Sequence, residues 1–265
     1  MTQSNLQIIL PVGDLPTSLW LSGDRTKPLL VFFHGLTGNH HGLKFIAERL
    51  KADYFIIIVD LPNHGQTATC PNLATDKLHH WTKEALSVIS QHFKQPQLVI
   101  AHSFGCLAIG EASILRQFPS IFINPVPEVN PAHTKLSLYM AQHPFFYWIS
   151  HWRLLAVLVG LSLLKIYHPR VIGRMIWNTW HSKISLAQSR QQAPMYKLAL
   201  EARLSGLTPK LVISSRQDNI LKSADEQAIK AHFSNVCLKM INGGHLSILE
   251  NPSLLAKLIA EQCDA

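Results

Sequence analysis

Short runs rich in β-branched and aromatic residues recur along this chain, and most of them are followed by a stretch of helical pattern. The runs Leu29–Phe33, Tyr54–Val59, Gln97–Ala101, Ile121–Ile123, Lys210–Ser214 and Val236–Ile241 read as strands, each ending in polar or glycine-rich residues. Helices are expected over Gly42–Lys51, Asp76–Phe93, Phe104–Gln117, Ser223–Phe233 and Pro252–Gln262. Such alternation is the pattern of βαβ units, and it predicts an α/β protein with a mostly parallel twisted sheet flanked by helices. In open parallel sheets ligands bind outside the carboxyl ends of the strands, so chemistry is expected in the segments just after those ends. The alternation stops at Asn124 and resumes after about Arg203, which predicts an inserted helical cap, 124–203, between two parts of one core, 1–123 and 204–265.

Composition narrows the class. At 265 residues and 47% hydrophobic content the chain can bury one sizeable core. The stretch from Met1 to Leu10 has neither the basic start nor the long apolar run of a secretory signal, so a cytoplasmic enzyme is the expectation. Cys70, Cys106, Cys237 and Cys263 show no CxxC pair and no metal-ligand spacing, which predicts free thiols. The apolar run Leu154–Leu164 covers 11 residues. A crossing helix needs roughly 20, so a helix lining a binding site fits better than a membrane span.

The chemistry begins at Ala101-His102-Ser103-Phe104-Gly105, where a buried strand meets a helix. A serine on a strand-to-helix turn is the setting of a nucleophile elbow, which needs small residues two before and two after it. Ala101 and Gly105 supply them, with Ala101 departing from the usual glycine. A serine hydroxyl attacks poorly until a base takes its proton, and the base needs an acid to orient it and to stabilise its charged form. Strand Lys210–Ser214 is followed by Asp218 and strand Val236–Ile241 by Asn242-Gly243-Gly244-His245, so Asp218 and His245 fit those two roles. An acid after the strand ending at Ile123 is the other arrangement; there the chain offers Asn124 and then Glu128.

Two further segments complete a pattern: Val31-Phe32-Phe33-His34-Gly35-Leu36-Thr37-Gly38, and Asp60-Leu61-Pro62-Asn63-His64-Gly65-Gln66-Thr67. With the serine, acid and histidine in that chain order, the protein resembles the α/β-hydrolase superfamily over nearly everything outside Asn124–Arg203. The second segment is similar to the family's D-x-P-G-H-G-x-S stretch, departing at Asn63 and Thr67, and has a packing role. The resemblance implies a triad of Ser103, Asp218 and His245, an oxyanion hole made by the backbone N–H groups of Leu36 and Phe104, a covalent acyl-enzyme and no cofactor. Dehalogenases and epoxide hydrolases of this fold are disfavoured, because they carry aspartate where Ser103 stands.

His34, His64 and His102 are expected to hydrogen-bond backbone in tight loops, and the remaining histidines to lie on the surface or in the cap. The adjacent pairs His40-His41 and His79-His80 have no partner at ligand spacing, so no metal site is assigned. Between Asn124 and Leu200 eight basic side chains face a single acid, Glu128, on a chain of net charge +8. Four of the six tryptophans, Trp148, Trp152, Trp177 and Trp180, lie there too. Trp148, Trp152, Arg170, Arg174 and Trp177 are the expected substrate contacts of the cap. A one-signed patch steers acidic partners; an acidic acyl carrier protein suits it, nucleic acid has no supporting motif, and contact with a membrane surface is the less favoured reading. The resulting expectation is a carboxylic-ester hydrolase acting on an acyl ester. Its specific form, by similarity in size and layout, is an esterase of pimeloyl-acyl-carrier-protein methyl ester in biotin synthesis. A lipid or acyl thioester hydrolase, an acyltransferase with the same triad, and a non-catalytic binding protein on the same fold are the rival readings.

Overall fold

The computed structural model describes residues 5–128, 143, 168–181, 185–201, 204–221, 223–233 and 235–263. Its centre is an eight-stranded sheet made of β1 (Leu6–Val12), β2 (Leu15–Ser22), β3 (Leu29–Phe33), β4 (Phe55–Val59), β5 (Leu98–His102), β6 (Ser120–Ile123), β7 (Leu211–Ser215) and β8 (Cys237–Ile241). The order is β1-β2-β4-β3-β5-β6-β7-β8, parallel from β4 onward and antiparallel through β1 and β2.

The central strands are apolar at consecutive positions because both faces of the sheet are covered. Leu29, Val31 and Phe33 point into one core with α2 (Thr75–His92), while Leu30 and Phe32 point into the other with α1 (His40–Leu50) and α9 (Pro252–Cys263). Phe55, Ile57 and Val59 against Ile56 and Ile58 repeat the division one strand over. Each such side chain contributes about 1.5–3 kcal/mol when removed from water.

All six expected strands and four of the five expected helices occur, with ends shifted by up to three residues. The fifth helix is corrected. Phe104–Gln117 is two helices, α3 (Phe104–Ile109) and α4 (Ala112–Gln117), broken at Gly110 and restarted by Glu111, whose carboxylate accepts the Ser113 N–H. A Cβ on Gly110 would stand 2.6 Å from the Cys106 carbonyl and 2.7 Å from Leu204, so the helix breaks where the chain passes close to Leu204. The hairpin β1–β2 was not anticipated. Its signal is Gly13-Asp14, a two-residue turn between apolar runs, with Gly13 at φ +54.

Between β6 and β7 the described elements are helices, α5 (Pro169–His181) and α6 (Leu186–Glu201). Trp148, Trp152 and the run Leu154–Leu164 lie outside the described residues. The remaining helices among the described residues are α7 (Glu226–His232) and α8 (Ser247–Glu250). No helix among the described residues is long and apolar enough to cross a membrane.

Candidate active site

Ser103 sits between the last residue of β5 and the first of α3 with φ +53 and ψ −118. A non-glycine residue there costs of order 1–3 kcal/mol, and such strain persists only where the surroundings impose it. Here they do: the Ser103 N–H donates to the Ile123 carbonyl at 3.0 Å. A Cβ on Gly105 would lie 2.6 Å from the Phe33 carbonyl and 2.7 Å from that of His34. Glycine is therefore required on the helix side of the turn. On the strand side Ala101 is 1% exposed within the core, so its methyl group is accommodated and the departure from the glycine pattern is tolerated.

The other two members arrive on loops laced to each other. After β7 the Asp218 N–H donates to the Ser215 carbonyl at 3.2 Å, and the Arg216 and Gln217 N–H groups donate to Ile241 and Gly243 at 2.9 and 3.0 Å. Asp218 is buried and its Oδ1 accepts the Ile220 N–H at 3.0 Å. Its Oδ2 stands 2.8 Å from His245 Nδ1, and His245 Nε2 stands 2.8 Å from Ser103 Oγ. The structure thus joins the three predicted residues in one hydrogen-bonded chain. Of the acid positions open in the sequence, Asp218 meets the imidazole; Asn124 meets the main chain of His245 instead, and Glu128 faces a separate cleft beside Leu221 and His232.

The loop after β3 is shaped by histidines in the way expected of them. His34 Nδ1 donates to the Gly35 carbonyl and its Nε2 accepts the Leu61 N–H. His64 Nδ1 donates to Pro62 and its Nε2 accepts the Thr37 N–H, which supports Thr37 at φ +63. Burial lowers the His34 pKa. His40 is a correction: expected at the surface or in the cap, it is buried, with Nδ1 2.9 Å from an oxygen of buried Asp60. Burial alone would push the Asp60 carboxyl up, but the hydrogen bond and charge of His40 outweigh it and hold its pKa at about 2. Gly65 closes over this group, with room for no Cβ: one would lie 2.2 Å from Asp60 Oδ2.

Asp60 therefore makes acid stability testable. Its folded pKa lies below the ordinary 3.8, so its contribution is present above pH 3.8 and is lost as pH falls from there toward 2. Chemical denaturation at pH 7 is expected to find Asp60→Asn less stable than the parent by about 2 kcal/mol or more. The gap should narrow as pH falls toward 2; a gap that stays constant with pH would refute the assignment.

A cavity of about 320 Å³ opens above Ser103 and His245. Leu36 and Phe104, the expected oxyanion donors, both line it. Its lining includes apolar Leu107, Leu200, Leu204 and Ile220 and polar Thr37, Asn39 and Asn178. Among the described residues no cluster of three or more His, Cys, Asp or Glu could hold a metal ion.

Residues 30–258 match the family model described as the alpha/beta hydrolase family. The chain belongs to that family. This alpha/beta hydrolase is 24% identical to the sn-1-specific diacylglycerol lipase ABHD11 of Mus musculus over 120 residues, which are 43% of this chain and 38% of the relative. The match therefore spans well under half the length of that relative. Its fold is shared with a hydrolase from Pseudomonas aeruginosa PA01 at a TM-score of 0.73 and 15% identity, covering 99% of this chain and 100% of the other. A thermophilic esterase from Thermogutta terrifontis matches at 0.70 and 15%, covering 98% of each.

The expected cap contacts of this alpha/beta hydrolase divide. Trp177 does not line the cavity; it packs edge-on against His41 and Phe45 at 5.4 and 5.5 Å, joining α5 to α1. Arg170 and Arg174 line a second, polar cleft beside Gly243 and Gly244. Asn178 and Tyr196, which sequence reasoning missed, do reach the cavity. Helical spacing could not single them out, because which face of α5 or α6 turns inward depends on how the helices dock.

Proposed function

We propose that this alpha/beta hydrolase is a serine-dependent carboxylic-ester hydrolase that works through an acyl-enzyme. The observation that carries the reading is the chain of 2.8 Å contacts from Asp218 through His245 to Ser103, opening on a largely apolar cavity. His245 Nε2 takes the Ser103 proton as Oγ bonds to the ester carbonyl carbon, and Asp218 stabilises the imidazolium through Nδ1–H. The negative oxygen of the tetrahedral intermediate is held by the Leu36 and Phe104 amides, an interaction that strengthens as the charge develops. Collapse expels the alcohol, which takes its proton from His245. Water then attacks the acyl-enzyme with His245 as base and releases the acid.

The apolar lining by Leu107, Leu200, Leu204 and Ile220 suits an acyl chain, and Asn39 and Asn178 offer hydrogen-bonding groups for a more polar end. Delivery of that chain by an acidic acyl carrier protein, as its methyl ester, is the finer part of the proposal. It is supported by the eight basic side chains of Asn124–Leu200 and by Arg170 and Arg174, which border a cleft of about 670 Å³ beside the His245 loop. A lipid ester is the competing substrate, favoured by the similarity to a diacylglycerol lipase.

A fluorophosphonate probe should label Ser103 in the folded chain; absence of label would turn the reading toward a binding protein. Purified protein should then be given carrier-bound methyl esters, diacylglycerols and p-nitrophenyl esters, with and without an alcohol acceptor. Arg170→Glu, on an exposed residue, is expected to raise KM for the carrier-bound ester about tenfold and leave the p-nitrophenyl ester unaffected. Equal turnover of the carrier-bound ester by parent and variant would sink the carrier. Preferential hydrolysis of diacylglycerol would replace it with a lipid.

A further inference from the structure

His245 stands in a segment without regular structure, after the end of β8 at Ile241 and before α8 begins at Ser247. Its ring nevertheless has to meet Asp218 and Ser103 at 2.8 Å on opposite sides. Two ring contacts cannot hold this geometry if the backbone that carries the ring is free to shift. The main-chain carbonyl of His245 is held from two directions: it accepts from His102 Nε2–H at 3.0 Å and from Asn124 Nδ2–H at 2.9 Å.

Both donors are buried and both sit on strand ends. His102 is the last residue of β5, adjacent to Ser103. Asn124 follows β6 at φ +45, a left-handed conformation that asparagine tolerates better than most residues. Its backbone N–H donates to Ile213 at 2.8 Å and its Oδ1 accepts the Ser215 N–H at 2.9 Å, which ties it to β7. Its Nδ2 also lies 3.2 Å from the Gly244 carbonyl and 3.0 Å from Ser247 Oγ, so two hydrogens serve three acceptors on the His245 segment. Aspartate at this position could accept but not donate.

His102 makes the more telling contribution. With Nε2 donating, its Nδ1 is a lone-pair acceptor, and this atom is buried without a hydrogen-bond partner among the described residues. A Cβ on Gly35 would stand 3.0 Å from it, so Nδ1 lies directly against the loop after β3. Burial, reinforced by the neighbouring His245, lowers the His102 pKa to about 3, and the ring keeps a single hydrogen directed at the carbonyl. An orphaned buried nitrogen carries a desolvation cost that an apolar side chain would avoid. What the imidazole supplies in return is one donor at that point.

We infer that His102 and Asn124 are positioning residues for the base: together they grip the His245 main-chain carbonyl and hold its imidazole in register with Ser103. The inference rests on the esterase reading. Because a displacement of about 1 Å can cost about a hundredfold in rate, the effect should appear in kcat.

The full-length chain is assayed with a p-nitrophenyl ester as parent, His102→Phe, His102→Gln, Asn124→Asp and the His102→Phe/Asn124→Asp double variant, each checked for folding by circular dichroism. His102→Phe and Asn124→Asp are expected to lose about ten- to hundredfold in kcat with KM within about twofold of the parent. His102→Gln, whose amide can place a donor near the same point, should stay within about threefold. The double variant should lose less than the product of the single losses, since both act on one carbonyl. The proposal is overturned alone if the parent turns over while the folded single variants keep kcat within about threefold, if KM carries the loss, or if His102→Gln falls as far as His102→Phe. Should His102→Phe not fold, Asn124→Asp, which keeps shape and backbone, decides by the same thresholds. A parent that neither turns over nor takes the fluorophosphonate label overturns the esterase reading, and this inference with it.

Discussion

Ser103→Ala is expected to lower kcat by about 10⁶-fold, and His245→Ala by a comparable factor, because nucleophile and base act as one unit. The losses should not add: the double variant should resemble either single one, leaving only the residual rate that binding and the oxyanion donors provide. Stability should move the other way at one of these positions. Ser103 holds φ +53 only because the elbow demands it, so Ser103→Gly is expected to raise the stability of the fold by about 1 kcal/mol while abolishing turnover. Esterase kinetics and thermal unfolding on the same preparations test both statements. An alanine variant with kcat within about a hundredfold of the parent would place the nucleophile elsewhere.

Asp218→Asn is expected to cost about 10⁴-fold in kcat with the geometry otherwise intact. The reason lies in the second oxygen of the carboxylate. Oδ1 is engaged by the Ile220 N–H at 3.0 Å, so the new amide will keep its oxygen there and turn its NH₂ toward His245 Nδ1. His245 must then accept at Nδ1 and carry its hydrogen on Nε2, where it faces Ser103 Oγ and cannot take the serine proton. A loss under about tenfold would remove Asp218 from the acid role. If Glu128→Gln cost more than Asp218→Asn, the acid would belong to the strand before the cap.

Much of this was readable before any coordinates. Continuous apolar runs such as Phe55–Val59 report burial on both faces, which only a covered parallel sheet provides, and strands of that kind have few alternatives. The serine, acid and histidine were recognisable because each follows a strand end, where the chain must turn within a few residues and local composition decides the conformation. Gly105 and Gly65 belong to the same class: each sits where a Cβ would strike backbone carbonyl or carboxylate oxygen.

What was misread or missed depends on contacts distant in sequence. His40 looked like a surface residue because nothing near it in the chain is acidic; its partner Asp60 arrives from the next strand end. Trp177 looked like a substrate contact, and α5 instead turns it onto His41 and Phe45. Asn124 was noticed only as a missing acid, although its side chain joins the ends of three strand segments.

By itself the sequence determined the layer architecture, the placement of Ser103 on a strand-to-helix turn, and the order in which acid and base follow it. These depend on periodicity and on residues within a turn of one another. Tertiary structure alone decided that Asp218 rather than a residue after β6 meets the imidazole, and that His102 and Asn124 converge on the carbonyl of His245, 143 and 121 positions away. Local spacing cannot encode such meetings, because they exist only once the parallel strands are in register and their carboxyl ends lie side by side. That register is also what returns Ser103, His245 and Asp218 to within hydrogen-bond reach of one another.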